Sequence, residues 1–369
     1  MVVTNRVSTE DRVIRLHLTN VQGLGAVRLI QSLLPSFCSQ NKFRVEHVYV
    51  PDNKNIIDMS LFGERTKVSI YRRYLPRSIS RLLECTFFGE SFSGRTPLLV
   101  LGDMPLRCST KQVVFLQNML LLEESNYGNK FGFVKYWILR SIFKRNLKYV
   151  DSFIVQTVAM KDQLIKFYPN FNERVHVIAQ PVPEWLIESK LQRTESQFNN
   201  KKGIRLFYPA AFYPHKNHKL LAGIDIDDGI WPIDTLTLTI PEISNPMPKV
   251  KWIQCKGTLT PQLVLDEYRK ADALLFLSYT ESYGFPLIEA MWMGLPIICP
   301  DLTYARNLCG KQAVYFSPSS LKSLYLAINE LNDRLQSGWW PDWSAELTLI
   351  PRDWESVAKR MAEVSFLNR

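Results

Sequence analysis

Glu281-Ser-Tyr-Gly-Phe-Pro-Leu-Ile-Glu289 is the stretch of sequence that decides the fold. An apolar run of strand length, residues 271–278, comes before it, and the sequence predicts a helix over residues 286–293 that ends at Gly294. The first turn of a helix has backbone N–H groups without intrahelical partners. A strand, a glycine turn and a helix start therefore predict an anion site that fits a diphosphate.

Two carboxylates, Glu281 and Glu289, lie at the two ends of this turn. Negative charges beside a bound diphosphate need partners of their own, and vicinal hydroxyl groups donate charge-assisted hydrogen bonds to carboxylates. A ribose on one side of the diphosphate and a sugar ring on the other supply such hydroxyls, so the pattern indicates a nucleotide sugar. The alternative is that Glu281 is a surface charge of a loop and Glu289 an ordinary acid near a helix start.

Lys216 follows a second predicted strand, residues 204–208, and the sequence predicts that a helix opens at Lys216 and runs to about residue 222. Ligands of open parallel sheets bind outside the carboxyl ends of the strands. We therefore expect Lys216 and the 281–289 turn at one crevice, with the ammonium group on a phosphate. A solvated surface lysine is the alternative.

Residues 208–221, 257–278 and 281–318 resemble, in this order, the C-terminal domain of retaining GT-B glycosyltransferases, specifically glycosyltransferase family 4 with its Glu-x7-Glu signature. The similarity is good over the last half of the chain and weaker over the first half. It implies an α/β fold of two Rossmann-like domains that face a cleft, with a C-terminal helix that crosses back to the first domain.

The resemblance also implies a role for each polar residue of the crevice. Lys216 corresponds to the lysine that binds the diphosphate, Glu289 to the carboxylate on the ribose and Glu281 to the acid on the sugar. The remaining donor contacts that it implies are Gly284, Phe285 and Leu287 at the phosphate turn and Gly257 beneath the base. Because fixed positive groups stabilise the diphosphate, no metal is expected, and no cofactor besides the nucleotide-sugar substrate.

Two positions depart from the family pattern. An arginine usually lies five or six residues before the lysine, where this chain has Ala211 and Ala210. A histidine that faces the reacting sugar corresponds to Gln117, which cannot exchange a proton at neutral pH but can hydrogen-bond a sugar hydroxyl. We therefore expect no protein side chain to act as general base. The resemblance implies retention of configuration, with the departing phosphate oxygen accepting the proton of the acceptor on the same face.

Two short motifs leave alternatives open. Gly23-Leu-Gly25 is either a tight turn or a loop beside the donor phosphate or the acceptor. Asp225-Ile-Asp-Asp-Gly229 contains an Asp-x-Asp pair, which holds a metal in a different glycosyltransferase fold. Its Asp- and Gly-rich context favours a solvated turn.

Apolar strand candidates alternate with helical stretches along the chain, which is typical of βαβ units. With 369 residues and 46% hydrophobic content the chain can form two cores. We predict an N-terminal domain over 1–182, a hinge over 183–203, a donor-binding domain over 204–350 and a crossover segment over 351–369. The strands predicted in the first half are 13–18, 45–50, 97–101, 113–117, 152–155 and 175–178.

The net charge of +10 lies in the first half, where residues 1–182 have 25 Lys and Arg against 14 Asp and Glu. Residues 130–148 combine six cations and no acid with aromatic side chains, and residues 71–83 are similar. Such helices either lie in the headgroup layer of an anionic membrane or pack inward with their cations in solvent. No nucleic-acid-binding signature accompanies them, so nucleic acid is not an expected partner.

Six cysteines without metal spacing, a polar start and the lack of a run of about 18 apolar residues predict a cytoplasmic protein, peripheral on the inner face of the plasma membrane. The expected activity is sugar transfer from a nucleotide-diphospho-sugar to a lipid-linked glycan acceptor in bacterial surface polysaccharide or lipopolysaccharide synthesis. The alternative from another class is a non-catalytic nucleotide-sugar-binding or scaffolding protein of the same fold.

Overall fold

The structure is a computed structural model that describes residues 12–21, 23–40, 42–52, 57–122, 130–198, 203–224 and 231–367. The chain divides into two compact units. Unit 1 combines Met1–Pro181 with Pro351–Arg369, and unit 2 is Val182–Ile350. Each unit is built on one parallel sheet with helices, which confirms the predicted α/β fold of two Rossmann-like domains.

The strands of unit 1 are β1 (Val13–His17), β2 (Arg44–Pro51), β3 (Lys67–Tyr71), β4 (Leu98–Val100), β5 (Gln112–Leu116), β6 (Ser152–Val155) and β7 (Val175–Val177). Their order in the sheet is β3-β2-β1-β4-β5-β6-β7, and each pair is parallel. All residues of β4 and β5 are buried. Near-continuous apolar strands of this kind have both faces covered by helices.

The first helices of unit 1 are α1 (Leu24–Cys38), α2 (Arg77–Thr86), α3 (Lys130–Asn146) and α4 (Val158–Phe167). Helices α2 and α3 pack against each other. The inner face of α3 contributes the fully buried Phe143 to the core, which stacks on Phe153 of β6 at 5.7 Å between ring centroids.

The strands of unit 2 are β8 (Ile204–Tyr208), β9 (Ile233–Leu238), β10 (Ile253–Cys255), β11 (Ala273–Leu275), β12 (Ile297–Pro300) and β13 (Val314–Phe316). Their order is β10-β9-β8-β11-β12-β13, again with parallel pairs only. Leu274 of β11 pairs with Phe207 of β8. The loops that follow these two strands therefore leave the same edge of the sheet side by side.

The helices of unit 2 are α5 (Glu184–Ser189), α6 (Pro261–Lys270), α7 (Phe285–Trp292), α8 (Thr303–Cys309), α9 (Leu321–Gln336) and α10 (Ser344–Leu347). The segment predicted as a hinge, 183–203, contains α5 and is attached to unit 2. Arg193 is buried there; its backbone N–H donates to Met293 O and its Nη1 to Arg269 O, both at 2.7 Å.

After unit 2 the chain returns to unit 1 through α11 (Trp354–Phe366). The Asp353 side chain caps this helix by accepting a hydrogen bond of 2.7 Å from the Ser356 N–H. The buried side chains of Val357 and Met361 lie on the face that packs against α1 and the strands β4 to β6. The predicted crossover helix is confirmed.

Strand β3 is absent from the predicted strands. It lies at the edge of the sheet and none of its five residues is fully buried. An edge strand has a solvated side, so its sequence lacks the apolar run that identified the inner strands. Within the described ranges no helix is both long and apolar enough to cross a bilayer.

Candidate active site

Two neighbouring loops of unit 2, after β8 and after β11, form the centre of the candidate site. The His215 carbonyl oxygen joins them, because it accepts hydrogen bonds from the Tyr279 N–H at 2.8 Å and from Ser278 Oγ at 3.2 Å. The buried Tyr208 at the end of β8 donates its hydroxyl hydrogen to Lys216 O at 2.8 Å. These bonds fix the backbone on both sides of the predicted lysine.

Lys216 and Glu281 meet in an ion pair between Nζ and Oε1. Their side chains are 17% and 12% exposed, so the pair is shielded from solvent yet reachable by a ligand. The predicted helix over 216–222 is wrong. Lys216 ends a short 3-10 turn, Pro214–Lys216, and Asn217 adopts φ 56° before a second 3-10 turn, His218–Gly223. This left-handed residue interrupts the helix, and its Nδ2 donates to Pro318 O at 2.9 Å.

Helix α7 starts one residue earlier than predicted and is capped by Gly284, whose φ of 83° requires glycine. The Leu287 N–H donates to Gly284 O at 2.9 Å, and Pro286 has no N–H. The predicted Leu287 amide is therefore engaged inside the turn, and its side chain is buried. The amides of Gly284 and Phe285 are the ones that this turn offers to an anion.

Glu289 lies one turn further along α7 and is almost fully buried. Its Oε2 accepts a hydrogen bond of 2.8 Å from the hydroxyl of Tyr268, a residue of α6. A buried carboxylate of this kind needs such partners, so Glu289 is not the solvated helix acid of the alternative interpretation.

Gly257 follows β10 at the same edge of the sheet, with φ 68° and its N–H donating to Ile240 O at 2.9 Å. Apart from its chain neighbours, no heavy atom of the described residues lies within 4 Å of the position where a Cβ would be, so this loop is open on that side. The preceding residue, Lys256, pairs with Glu267 at 2.8 Å.

His215 and His218 flank Lys216 in sequence. Burial, together with the charge of Lys216, lowers the pKa of each imidazole to about 4. His218 lies between the rings of Tyr208 and Phe212, at 5.0 and 5.7 Å between centroids. Both histidines are thus neutral at physiological pH, so of the residues 215–218 only Lys216 is positively charged.

The candidates of the first half, Gln117, Gly23 and Gly25, belong to unit 1. Gln117 follows β5, where its N–H donates to Asp103 Oδ1 at 2.6 Å and its Nε2 to Leu101 O at 3.0 Å. Gly23 caps α1 with φ 85°, and Gly25 lies in the first turn of that helix. Gln117 thus ties two loops together, and the Gly23 to Gly25 segment is a helix start at the same edge of the sheet.

A buried ionic network at the carboxyl end of β1 was not predicted from the sequence. Glu84 accepts from His17 Nε2 at 2.9 Å and from Arg73 Nη2 at 2.7 Å. Burial raises the pKa of Glu84, but the hydrogen bonds from His17 and Thr19 and the charge of Arg73 lower it overall. The members come from β1, from the segment after β3 and from α2, so no local pattern marks them.

The Asp225 to Gly229 motif lies outside the described residues. Among the residues that the structure describes, no three His, Cys, Asp or Glu side chains are grouped as metal ligands would be.

Comparisons with known proteins find similarity to glycosyltransferases. Residues 241–334 match the family model described as "Glycosyl transferases group 1". The O-antigen chain mannosyltransferase RfbU of Salmonella typhimurium is 23% identical over 246 residues, which cover 63% of this chain and 67% of RfbU. The serotype-specific mannosyltransferase WbdA of Escherichia coli is 30% identical over 129 residues, and the match spans 32% of this chain but 16% of WbdA.

The fold is also shared with a solved glycosyltransferase. WaaG, described as involved in lipopolysaccharide biosynthesis, superposes with a TM-score of 0.62 at 14% identity, covering 96% of this chain and 100% of WaaG. Part of the chain is thus similar in sequence to glycosyltransferases, and the structural match shows the GT-B fold of two Rossmann-like units.

Proposed function

We propose that the protein transfers a sugar from a nucleoside-diphospho-sugar to a glycan acceptor in the synthesis of a surface polysaccharide or lipopolysaccharide. The observation that carries this proposal is the Lys216–Glu281 ion pair beside the capped start of α7. An ammonium group, the amides of Gly284 and Phe285 at a helix start and a carboxylate at one sheet edge suit a ligand that is anionic in its middle and rich in hydroxyl groups at its ends.

In the proposed reaction the bond from the anomeric carbon to the phosphate oxygen breaks, and a bond to the acceptor oxygen forms on the same face. The proton of the acceptor hydroxyl passes to the departing phosphate oxygen. Lys216 and the amides of Gly284 and Phe285 stabilise the negative charge that develops on the diphosphate, a contribution that is often the largest in such sites. The anomeric configuration of the product, read by NMR coupling constants, tests retention.

Mannose is the first donor sugar to test, because two relatives are named mannosyltransferases. Thermal-shift screening of UDP-, GDP- and dTDP-linked sugars identifies the base and the sugar together, since a ligand that binds the folded state raises its stability. Transfer or slow hydrolysis of the stabilising donor is then expected. Stabilisation without either reaction would favour the non-catalytic binding protein.

Metal independence is part of the proposal, because Lys216 and the helix amides carry out the charge stabilisation that a divalent ion provides elsewhere. Activity is expected to persist in excess EDTA. Loss of activity in EDTA that added Mg²⁺ or Mn²⁺ restores would contradict this part of the proposal and direct attention to Asp225 and Asp227.

We further propose that unit 1 binds an anionic membrane surface through the segments 71–83 and 130–148, on the cytoplasmic side of the plasma membrane. Tyr74 is 90% and Trp137 is 61% exposed, although both are large aromatic residues. The opposite side of α3 packs into the core of unit 1. The same helix can therefore both support the fold and contact a membrane. The exposed cations that the structure describes in these two segments include Arg72, Lys135, Lys144, Arg145 and Lys148.

Co-sedimentation with vesicles tests this surface. Binding to phosphatidylglycerol vesicles but not to phosphatidylcholine vesicles is expected, with loss at high salt, since each cation near an anionic surface adds roughly 1 kcal/mol. The Lys144→Glu/Arg145→Glu variant should bind much less, while a matched change in unit 2, Lys322→Glu, should not matter. Binding that is indifferent to lipid charge and salt would contradict the proposal.

A further inference from the structure

Tyr268 occupies an unusual place for a tyrosine, because its whole side chain is buried while its hydroxyl ends on a carboxylate. The ring lies on the buried face of α6 with Val264 and Leu265 and makes an edge contact with Phe207 of β8, at 4.9 Å between centroids and 86° between planes. This packing holds the ring in one orientation. The hydroxyl then reaches Glu289 Oε2 at 2.8 Å.

The preceding residue of α6, Glu267, contacts the loop that follows β10. Glu267 accepts hydrogen bonds from Lys256 at 2.8 Å and from Lys270 at 2.9 Å. Lys256 directly precedes Gly257, the glycine assigned to the base of the nucleotide. Two consecutive residues of one helix therefore hold the loop assigned to the base and the carboxylate assigned to the ribose.

We propose that Tyr268 is a positioning residue that orients the Glu289 carboxylate toward the ribose hydroxyls of the donor. The inference rests on the proposed function, since it requires a nucleotide at this site. Hydrogen bonds to a charged carboxylate are the stronger ones in proteins, and they fix its rotation. A carboxylate that is oriented before the ligand arrives loses less freedom on binding, so the ligand binds more tightly.

The test compares nucleoside diphosphates with and without the ribose hydroxyls. UDP, GDP and their 2′,3′-dideoxy forms are titrated calorimetrically into the wild type and into Tyr268→Phe. The wild type should prefer the ribonucleotide. Tyr268→Phe should weaken the ribonucleotide about 10-fold and leave the dideoxy form within twofold, because one charge-assisted hydrogen bond is at stake. Tyr315→Phe, which removes a 2.7 Å bond to Gly310 O, is the matched control and should change neither affinity.

Other outcomes overturn the inference in distinguishable ways. Equal weakening of both nucleotide forms in Tyr268→Phe would mean that the hydroxyl only supports the fold. Unchanged affinity for both would mean that Glu289 needs no orientation. If the wild type binds none of UDP, GDP and dTDP, the proposed function fails and this inference fails with it.

A double-mutant cycle tests whether Tyr268 acts only through Glu289. In a Glu289→Ala background the carboxylate that Tyr268 orients is gone. Adding Tyr268→Phe to that background should leave the affinity for the ribonucleotide within twofold, as expected for two residues that act through one contact. A further 10-fold loss would show that Tyr268 acts on the ligand by another route and would overturn the inference.

Discussion

Lys216 and Glu281 lie 65 positions apart in sequence, yet their side chains form an ion pair between the loops that follow two adjacent strands. Each charge thereby compensates the other when no ligand is bound. A diphosphate that binds at this place competes with Glu281 for the ammonium group. The affinity for the donor therefore depends on the free energy needed to separate Lys216 from Glu281.

Removal of the lysine should abolish most of the transfer. We expect Lys216→Ala to lower the rate by at least about 10² to 10³, the range typical for one preorganised donor, because Ala210 and Ala211 supply no second cation on this loop. The measurement is the initial rate of transfer, with circular dichroism to verify folding. Lys219→Ala, a change of an exposed lysine three residues away, is the control. Near-normal turnover by Lys216→Ala would contradict the assigned role.

Removal of the charge on Glu281 should separate diphosphate binding from transfer. Glu281→Gln keeps the shape of the side chain but releases Lys216 from its partner. Binding of the bare nucleoside diphosphate is expected to stay equal or become a few-fold tighter, whereas transfer falls at least 10-fold because the sugar contact is lost. Calorimetry and the transfer assay measure the two effects. Parallel loss of both would indicate that the pair only maintains the fold.

Stability should fall as the pH drops from 6.5 to 4. His215 and His218 have an ordinary pKa of 6.5 and a folded pKa of about 4, lowered by burial and by Lys216. In this window the unfolded chain binds protons that the folded state excludes, so the free energy of unfolding decreases, by up to about 3 kcal/mol for each histidine.

His218→Phe isolates one of these histidines. Among the described residues neither ring nitrogen of His218 has a hydrogen-bond partner, so the phenylalanine forfeits no bond and fits between Tyr208 and Phe212. Urea unfolding at pH 8 and pH 4.5 should show little difference from the wild type at the higher pH and a more stable variant at the lower. An equal difference at both values would contradict the burial argument.

The glycine at the start of α7 should not tolerate a side chain. Gly284→Ala places a Cβ in the left-handed region and 3.3 Å from Leu287 Cδ1, which costs roughly 1–2 kcal/mol of stability. The turn would also shift the two amides offered to the phosphate, so transfer should fall. Gly223→Ala, at a glycine with an ordinary backbone conformation and 3.4 Å from a flexible leucine, is the control. Equal stability of both variants would contradict the assigned role of Gly284.

Secondary-structure elements could be predicted where they depend on residues that are close in sequence. Inner strands such as β5 and β11 are buried on both faces, so their apolar runs stand out in the sequence, whereas the crossover helix was predicted from the family resemblance. The edge strand β3 lacks such a run. The helix predicted at Lys216 was wrong because Asn217 takes a left-handed conformation that a single polar residue does not reveal.

Contacts between residues that are distant in sequence could not be predicted from the sequence. The 281–289 spacing indicated which residues matter, but it could not show that Lys216 finds Glu281 or that Tyr268 finds Glu289. The network of His17, Arg73 and Glu84 was missed for the same reason. Burial and long-range pairing decide these roles, and both depend on the folded chain as a whole.

The return of the chain through α11 has a consequence for biosynthesis. Unit 2 is continuous in sequence, whereas unit 1 gains the helix that covers α1 only when residues 354–366 have been made. On the ribosome, unit 2 can therefore fold first while the apolar surface of α1 is still uncovered. Synthesis that pauses before residues 354–366 have emerged leaves that surface available to chaperones, so a segment translated after unit 2 completes unit 1.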